Sequence, residues 1–271
     1  MRDDQDRPPL RVHWLRGRLV EPHGPYAELD VVAETGSTNH DLKQAGSRDR
    51  SVLVAEHQTA GRGRAGRRWV APPRSGLFFS VRLRPEPVPP TRRGWLPLVA
   101  GVALATAVGA ASGVAASLKW PNDLLLGPRQ RKGAGILAEA VGESLVLGIG
   151  LNVSLREAEL PVPEATSLAI EGATALDRDE LLVAVLLELA DVERRWRAAH
   201  GDVEASGLGE RYRALCSTVG MDVRVELPNG AALRGTAVDV DASGRLVVRD
   251  GRGERTAVSA GDVGHVRPAQ G

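Results

Sequence analysis

Along the chain, apolar positions switch between the two-residue period of strands and the 3.6-residue period of helices, and the switches mark out elements. Leu29-Asp30-Val31-Val32 predicts a short strand, and the β-branched run Ser51-Val52-Leu53-Val54-Ala55 predicts a buried one. Strand character resumes from Leu77 to Leu83, after a Gly/Arg-rich loop from Gln58 to Arg68. A Pro-rich connector, Pro85 to Pro90, leads into an Ala-rich run from about Trp95 to Ala111 that predicts the central helix. Leu124 to Leu126 reads as a strand, and Gly135 to Val141 and Leu145 to Val153 read as a strand pair turning at Gly142-Glu143-Ser144. Asp177-Arg178-Asp179-Glu180 has the form of a capping box opening an amphipathic helix that runs to about His200.

After Ser217 the texture changes. Asp222 to Leu227, Arg234 to Val240, Arg245 to Arg249 and Arg255 to Val258 alternate as short strands. Pro228-Asn229-Gly230, Asp241-Ala242-Ser243-Gly244 and Asp250-Gly251-Arg252-Gly253 separate them, and Asn-Gly and Asp-Gly pairs between alternating runs signal hairpins. This tail predicts a small all-β domain of barrel type. At the other end, Met1 to about Arg18 predicts a frayed entry whose few anchors are Trp14 and Leu15.

Composition changes the picture in three places. The chain has 271 residues, 42% hydrophobic and 25% charged, which suits a soluble two-domain protein. Its net charge of +1, from 35 basic and 34 acidic residues, argues against a general nucleic-acid binder, so any basic site is local. A single cysteine, Cys216, excludes an intrachain disulfide framework and fits a reducing, cytoplasmic setting. No charge interrupts Leu96 to Leu118, but Ala, Gly and Ser dominate there, so a closely packed internal helix is expected rather than a membrane span. Met1 to Pro9 is polar and lacks the apolar core of a signal peptide.

Candidate chemistry begins at Gly61-Arg62-Gly63-Arg64-Ala65-Gly66-Arg67-Arg68. The literal G-x-G-x-x-G would suit a dinucleotide fold only if a helix opened directly after it. Trp69-Val70-Ala71-Pro72-Pro73 cannot open one, and no Lys-Ser or Lys-Thr pair follows to make a Walker A loop. What remains is a glycine loop with four arginines, suited to phosphate or carboxylate oxygens and to closing over a reactive acyl phosphate. A solvated basic loop, or a patch that touches RNA, is the alternative at this level. Lys119-Trp120-Pro121-Asn122-Asp123 offers a charge for phosphate and oxygen ligands for Mg²⁺, or simply an Asx turn. Lys132 before Gly133-Ala134-Gly135, Asn152 in a buried strand, and the helix-capping run Ser37-Thr38-Asn39 are each open to a purely structural reading.

Taken together, their order is informative. Gly36-Ser37-Thr38-Asn39, Gln58-Thr59-Ala60-Gly61-Arg62-Gly63-Arg64, Lys119-Trp120-Pro121-Asn122-Asp123, Lys132-Gly133-Ala134-Gly135-Ile136-Leu137 and Gly150-Leu151-Asn152-Val153 closely resemble the biotin protein ligase family. The resemblance runs from about Val31 to the C-terminus, including the small β-domain ending in Ala260-Gly261-Asp262-Val263. It implies an α+β fold: a mixed, mostly antiparallel sheet with helices on one face, like the core of a class II aminoacyl-tRNA synthetase, then an SH3-like barrel. It divides the chain into an extension at 1–28, a catalytic domain at 29–216 and a C-terminal domain at 217–271.

The implied reaction joins biotin to ATP as biotinyl-5′-AMP, with Mg²⁺, and passes biotin to a lysine of a biotin carboxyl carrier domain of an acyl-CoA carboxylase. Ser37, Thr38, Asn39 and Gln58 would face the uncharged ureido ring. Arg62, Gly63, Arg64 and Lys132 would face the biotin carboxylate and adenylate phosphate, with Arg62, Arg64 and Lys132 catalytic. ATP would meet Arg64, Arg67, Trp69, Lys119, Asn122 and Asn152, and Asp123 the metal. Many members carry a DNA-binding helix-turn-helix ahead of the core. About thirty residues precede the Val31 strand, too few for it, so a ligase without DNA binding is expected. Ala65 stands where several relatives have a basic residue. A homodimer is compatible with the family, and a lipoate or octanoate protein ligase is the nearest alternative.

Overall fold

The computed structural model describes residues 7–44, 46–174, 176–226 and 231–259, and the backbone of 262–265. The expected turn at Pro228-Asn229-Gly230, the Ala260-Gly261 pair and residues 1–6 lie outside the described residues.

Among the described residues, nine strands build the first part of the chain. They are β1 (Glu28–Val32), β2 (Ser51–Ala55), β3 (Gly61–Arg62), β4 (Arg68–Trp69), β5 (Gly76–Leu83), β6 (Ala116–Lys119), β7 (Asp123–Leu126), β8 (Arg131–Val141) and β9 (Ser144–Asn152). Seven of them form one sheet in the order β1-β2-β5-β9-β8-β7-β6, antiparallel except for the parallel β1–β2 pair. The mixed, mostly antiparallel sheet expected from sequence is therefore present.

Five helices accompany the sheet: α1 (Val12–Leu19), α2 (Thr38–Gln44), α3 (Leu96–Ser112), α4 (Arg178–Ala198) and α5 (Leu208–Leu215). The alternation of strand side chains decides how they are placed. Leu77, Phe79 and Val81 of β5 and Leu147, Ile149 and Leu151 of β9 point into the main core with α3 and α4. The intervening positions, Phe78 and Ser80 opposite Gly150 and Gly148, point to the other face. There α2 packs, through Asn39 against Gly148 and Ser80. The expectation that helices lie on one face is corrected in this respect: the sheet has a thick helical layer on one side and α2 on the other.

The apolar α3 is held by smallness rather than by an amphipathic stripe. A Cβ at Gly101 would come within 3.3 Å of Leu118, so the helix lies close to the sheet. Residues Pro90–Ser112 are long and apolar enough to cross a bilayer, yet 67% of that apolar window is buried within the protein, as the small-residue composition predicts. Gly113 ends the helix at φ 71°, a left-handed cap that glycine adopts without a Cβ penalty. Asp177 caps α4 by accepting from the N–H groups of Asp179 and Glu180, as the sequence predicts.

Two expectations need correction. The entry segment is not frayed from Arg7 onward: Leu15 and Leu19 of α1 are fully buried, and Leu10 N–H donates to Glu56 Oε1 at 2.6 Å. Arg11 binds Asp179 and Asp177 at the start of α4, and Arg178 donates to the Pro8 carbonyl at 2.6 Å. These anchors join residues far apart in sequence, so no local pattern announces them. The strand β6 and the helix α5 are also additions, β6 at the end of the charge-free run expected to be helical and α5 where the sequence reading placed no element.

The C-terminal part consists of β10 (Asp222–Glu226), β11 (Ala232–Val240), β12 (Leu246–Arg249), β13 (Arg255–Val258) and β14 (Asp262–His265). They form an antiparallel sheet in the order β13-β12-β11-β10-β14, with a register break between Ala237 and Asp239 of β11. Two buried indoles bind this unit to the first: Trp95 Nε1–H donates to the Asp241 carbonyl at 2.9 Å, and Trp120 Nε1–H to the Gly244 carbonyl at 3.1 Å.

Candidate active site

On the α2 face of the sheet, adjacent strands leave a trough with almost no side chains. Gly135 of β8 pairs with Gly150 of β9, and one pleat along, Leu137 pairs with Gly148. Each glycine makes room for a particular neighbour. A Cβ at Gly148 would lie 2.2 Å from Asn39 Oδ1, and one at Gly150 would lie 2.7 Å from the Trp69 ring. The glycines of Gly148-Ile149-Gly150 are thus the floor of a cavity of about 480 Å³.

Over the Gly148 row stand neutral polar groups. Ser37 precedes α2, which begins at Thr38 rather than at His40, and His40 N–H lies 3.5 Å from Ser37 Oγ. Gln58 Oε1 accepts from Thr38 N–H at 2.9 Å and lies 3.1 Å from Thr38 Oγ1. Asn39 Nδ2 donates to Glu139 Oε2 at 2.8 Å and to the Leu137 carbonyl at 3.2 Å. Lys43 closes the group with a 2.6 Å ion pair to Glu139 Oε1. Burial alone would raise the Glu139 carboxyl. The hydrogen bonds from Lys43 and Asn39, with the charges of Lys43 and Arg62, outweigh it and hold the group below its ordinary range.

Over the Gly135–Gly150 row stand the charged groups. Lys132 Nζ lies 2.6 Å from Asp123 Oδ1 and 5.8 Å from the centre of the Trp69 ring. Asp123 Oδ1 is buried and takes no other partner among the described residues, so the ion-paired oxygen has room to accept further. Trp69 Nε1–H, buried and without a partner among the described residues, has the same spare capacity. Asn122 Nδ2 donates to the Ile136 carbonyl at 3.0 Å, and Asn152 Nδ2 to the Thr166 carbonyl at 2.9 Å, so both amides have fixed orientations at the cavity wall.

The Gly/Arg loop is a closed hairpin. β3 and β4 pair Gly61 with Trp69 and Arg62 with Arg68, and Gly63 N–H donates to the Arg67 carbonyl at 2.7 Å. Ala65 takes a left-handed turn at φ 52°, which costs a non-glycine residue energy, and Gly66 follows at φ 73°. No helix follows, so the loop is not a dinucleotide fingerprint. Arg62, Gly63, Arg64 and Arg67 all face the cavity.

Of the residues singled out in sequence, Lys119 alone stands apart from this cavity. It ends β6, opposite Asp123 in register, and borders a crevice of about 10 Å³ with Pro121 and Tyr212. Sequence reasoning missed Ser80, Glu139 and Lys43. Ser80 did carry a signal, a lone hydroxyl within Leu77-Phe78-Phe79-Ser80-Val81, where burial without a partner is costly. It also missed Pro161 and Val162, which border the mouth of the cavity, Val162 being 50% exposed. Among the described residues no cluster of three or more His, Cys, Asp or Glu side chains could hold a metal on its own.

Comparison with known proteins gives a consistent result. Residues 29–155 match the model of the biotin/lipoate A/B protein ligase family, and residues 218–266 match the biotin protein ligase C-terminal domain. The chain is 44% identical to a biotin--[acetyl-CoA-carboxylase] ligase of Mycobacterium tuberculosis, over 97% of this chain and 98% of that one. It is 33% identical to the bifunctional ligase/repressor BirA of Bacillus spizizenii, over 85% of this chain and 71% of that protein. Among solved structures, the biotin protein ligase of Aquifex aeolicus in complex with biotin and ATP superposes with a TM-score of 0.75 at 28% identity, covering 90% of this chain and all of that one. Two matched family models in chain order, and identity sustained along nearly the whole length, establish that the chain belongs to the biotin protein ligase family.

Proposed function

We propose that this chain activates biotin with ATP and transfers it to a lysine of a biotin carboxyl carrier domain. The observation that carries this reading is the two-row cavity. Neutral donors and acceptors lie over Gly148, where a charge would be costly to bury, Lys132 lies beside Gly135, and Arg62, Arg64 and Arg67 line the same cavity. A ligand with an uncharged polar ring at one end and a carboxylate at the other matches both rows.

In the first step a biotin carboxylate oxygen attacks the α-phosphorus of ATP. The bond to the bridging oxygen breaks, and pyrophosphate leaves. Negative charge concentrates at the carboxylate and α-phosphate, where Lys132 and the guanidinium groups of Arg62 and Arg64 offset it. Arg67 addresses the departing phosphates, and Trp69, Asn122 and Asn152 form the nucleotide side of the wall. In the second step the carrier lysine nitrogen attacks the acyl carbon and AMP leaves. The Arg62–Arg67 hairpin excludes water from the mixed anhydride meanwhile.

Mg²⁺ fits as an ion delivered with the triphosphate. It commonly binds through one or two carboxylates plus phosphate oxygens, and Asp123, ion-paired on one side, is the carboxylate this chain supplies. Its role would be to neutralise phosphate charge.

The cavity is lined wholly by residues 37–165, which supports a catalytic domain at 29–216 and a separate role for 217–271. The near-neutral charge supports a ligase with no DNA partner, and the lone, buried Cys216 supports a cytoplasmic setting. Incubation with biotin, Mg²⁺-ATP and a purified carrier domain tests the whole proposal: mass spectrometry is expected to find one biotinyl group on the carrier lysine. Transfer of lipoate or octanoate instead, or no transfer, would overturn it.

A further inference from the structure

Behind the neutral row of the cavity runs a connected chain of polar groups: Lys43, Glu139, Asn39, Ser80, Thr38 and Gln58. Its proton positions follow from one another. Asn39 Nδ2 faces two acceptors, a Glu139 oxygen at 2.8 Å and the Leu137 carbonyl at 3.2 Å, so this atom is the amide's NH₂ group and the other is its oxygen. Asn39 Oδ1 lies 2.6 Å from Ser80 Oγ and can only accept, so the single Ser80 proton goes to Asn39. Ser80 Oγ is also 2.7 Å from Thr38 Oγ1. Two hydroxyl oxygens at that distance need a proton between them. The Ser80 proton is committed, so Thr38 supplies it. Thr38 Oγ1, whose proton lies between Ser80 Oγ and Gln58 Oε1 at 3.1 Å, is left with lone pairs to accept, while Gln58 Oε1 also accepts from Thr38 N–H, which leaves its Nε2 amino group as the donor.

We propose that Ser80 and Glu139 are positioning residues that fix the hydrogen-bond polarity of the neutral end of the cavity, making Thr38 an acceptor and Gln58 a donor and so selecting a ring that offers both N–H and C=O, a cyclic urea. Ser80, fully buried, is where the polarity passes from the sheet to α2, and Glu139, clamped by Lys43, sets its starting direction. Gly148 is required by the same arrangement, since any Cβ there would occupy the space of Asn39 Oδ1. This inference rests on the biotin ligase reading above and adds how the ring is recognised.

Calorimetric titration of the full chain with biotin, with 2-iminobiotin (which replaces the ureido oxygen by a protonated nitrogen) and with ATP tests it. Ser80→Ala is expected to weaken biotin about tenfold or more, the scale of an unsatisfied buried polar group. It is also expected to narrow the gap between biotin and 2-iminobiotin, to leave ATP affinity close to wild type, and to lower the melting temperature by only a few degrees, since Asn39 Oδ1 loses its donor. Glu139→Gln should act in the same direction on the two ring ligands, which keeps the test decisive if Ser80→Ala folds poorly. Either folded variant binding biotin with wild-type affinity and wild-type preference over 2-iminobiotin overturns the polarity chain and leaves the ligase reading standing. A wild-type chain that binds no biotin takes down both.

Discussion

The Trp69 indole occupies the space that a side chain at position 150 would need: a Cβ on Gly150 would meet ring atoms at 2.7 and 2.8 Å. The contact with Gly135 is looser, at 3.0 Å, and the two glycines are register partners. Gly150→Ala therefore has to move the ring, whereas Gly135→Ala is relieved by a shift of a few tenths of an ångström. Misplacement of about 1 Å beside reacting groups can cost ~10²-fold in rate. Gly150→Ala is expected to slow pyrophosphate release by roughly 10- to 100-fold, with a shifted tryptophan emission and an intact fold, and Gly135→Ala by much less. Equal effects from the two would refute the slot.

Lys132 and Asp123 form an ion pair at 2.6 Å with side chains 35% and 22% exposed. Pairs this open contribute ~0–1 kcal/mol to stability, so breaking this one should hardly move the melting temperature. Chemistry is a different matter, because Lys132 is the ammonium group beside the developing charge. Lys132→Ala is expected to lower adenylate formation by ~10²–10³-fold, the range measured for losing one preorganised charge stabiliser. Lys132→Arg should restore little, since a planar guanidinium cannot replace a point charge in the space beside Trp69. Single-turnover assays with radiolabelled ATP separate this step from transfer. A variant with wild-type adenylation would remove Lys132 from the mechanism.

Most of the large sheet was legible because its strands carry unbroken apolar runs: Ser51–Ala55 was predicted to the residue, and Leu77–Leu83 lacked only Gly76. The floor of the cavity was legible as glycines within strands, though not which side chain each glycine admits. What escaped was non-local. Leu10 is buried because its N–H reaches Glu56, 46 residues away, and Arg7 is ordered by Ser154 and Glu159. Glu139 sits in an alternating strand like any half-exposed carboxylate, and only the fold brings Asn39 and Lys43 to it. Lys119 shows the reverse error. A motif was treated as one unit, yet Lys119 borders only the small crevice with Pro121 and Tyr212, while its register partner Asp123 and the neighbouring Asn122 also border the cavity.

Arg7 reaches from the entry segment to Glu159 Oε2 at 2.7 Å and to the Ser154 carbonyl at 2.9 Å, pinning the segment that leads to Pro161 and Val162 at the cavity mouth. Burial would raise the Glu159 carboxyl, but the Arg156 N–H and the Arg7 and Arg156 guanidinium groups lower it to about 2 from 4.5. A depressed carboxylate pKa stabilises the fold fully above its unfolded value, and the contribution fades as pH falls from about 4.5 toward 2. Arg7→Ala should therefore lower the melting temperature at pH 6, and the gap from wild type should narrow by pH 3. Biotin and ATP KM should rise at neutral pH as the mouth loosens. A gap that widens on acidification would show that Glu159 is not the group involved.

Trp95 and Trp120 bind the same turn of the C-terminal sheet, at Asp241 and Gly244. That turn is stiff, since Asp241 Oδ1 accepts from the N–H groups of Ser243 and Arg245, and it sits tightly, with the Ser243 carbonyl 2.5 Å from where a Gly94 Cβ would be. Trp120→Phe leaves the Gly244 carbonyl short of a donor, at a cost of about 1–3 kcal/mol by urea unfolding, and Trp95→Phe should cost less, since the Asp241 carbonyl still accepts from Gly244 N–H at 2.9 Å. Because both donors hold one turn, the double variant should lose less than the sum of the two. The two differ in their effect on activity. Trp120 is followed by Pro121 and then by Asn122 and Asp123 at the cavity, whereas Trp95 leads into the buried α3. Trp120→Phe is expected to lower kcat for adenylate formation several-fold at a temperature where both variants stay folded, and Trp95→Phe to leave it near wild type. Equal losses of activity would mean that docking of the C-terminal sheet acts on the site as a whole, not through the Trp120–Asp123 segment.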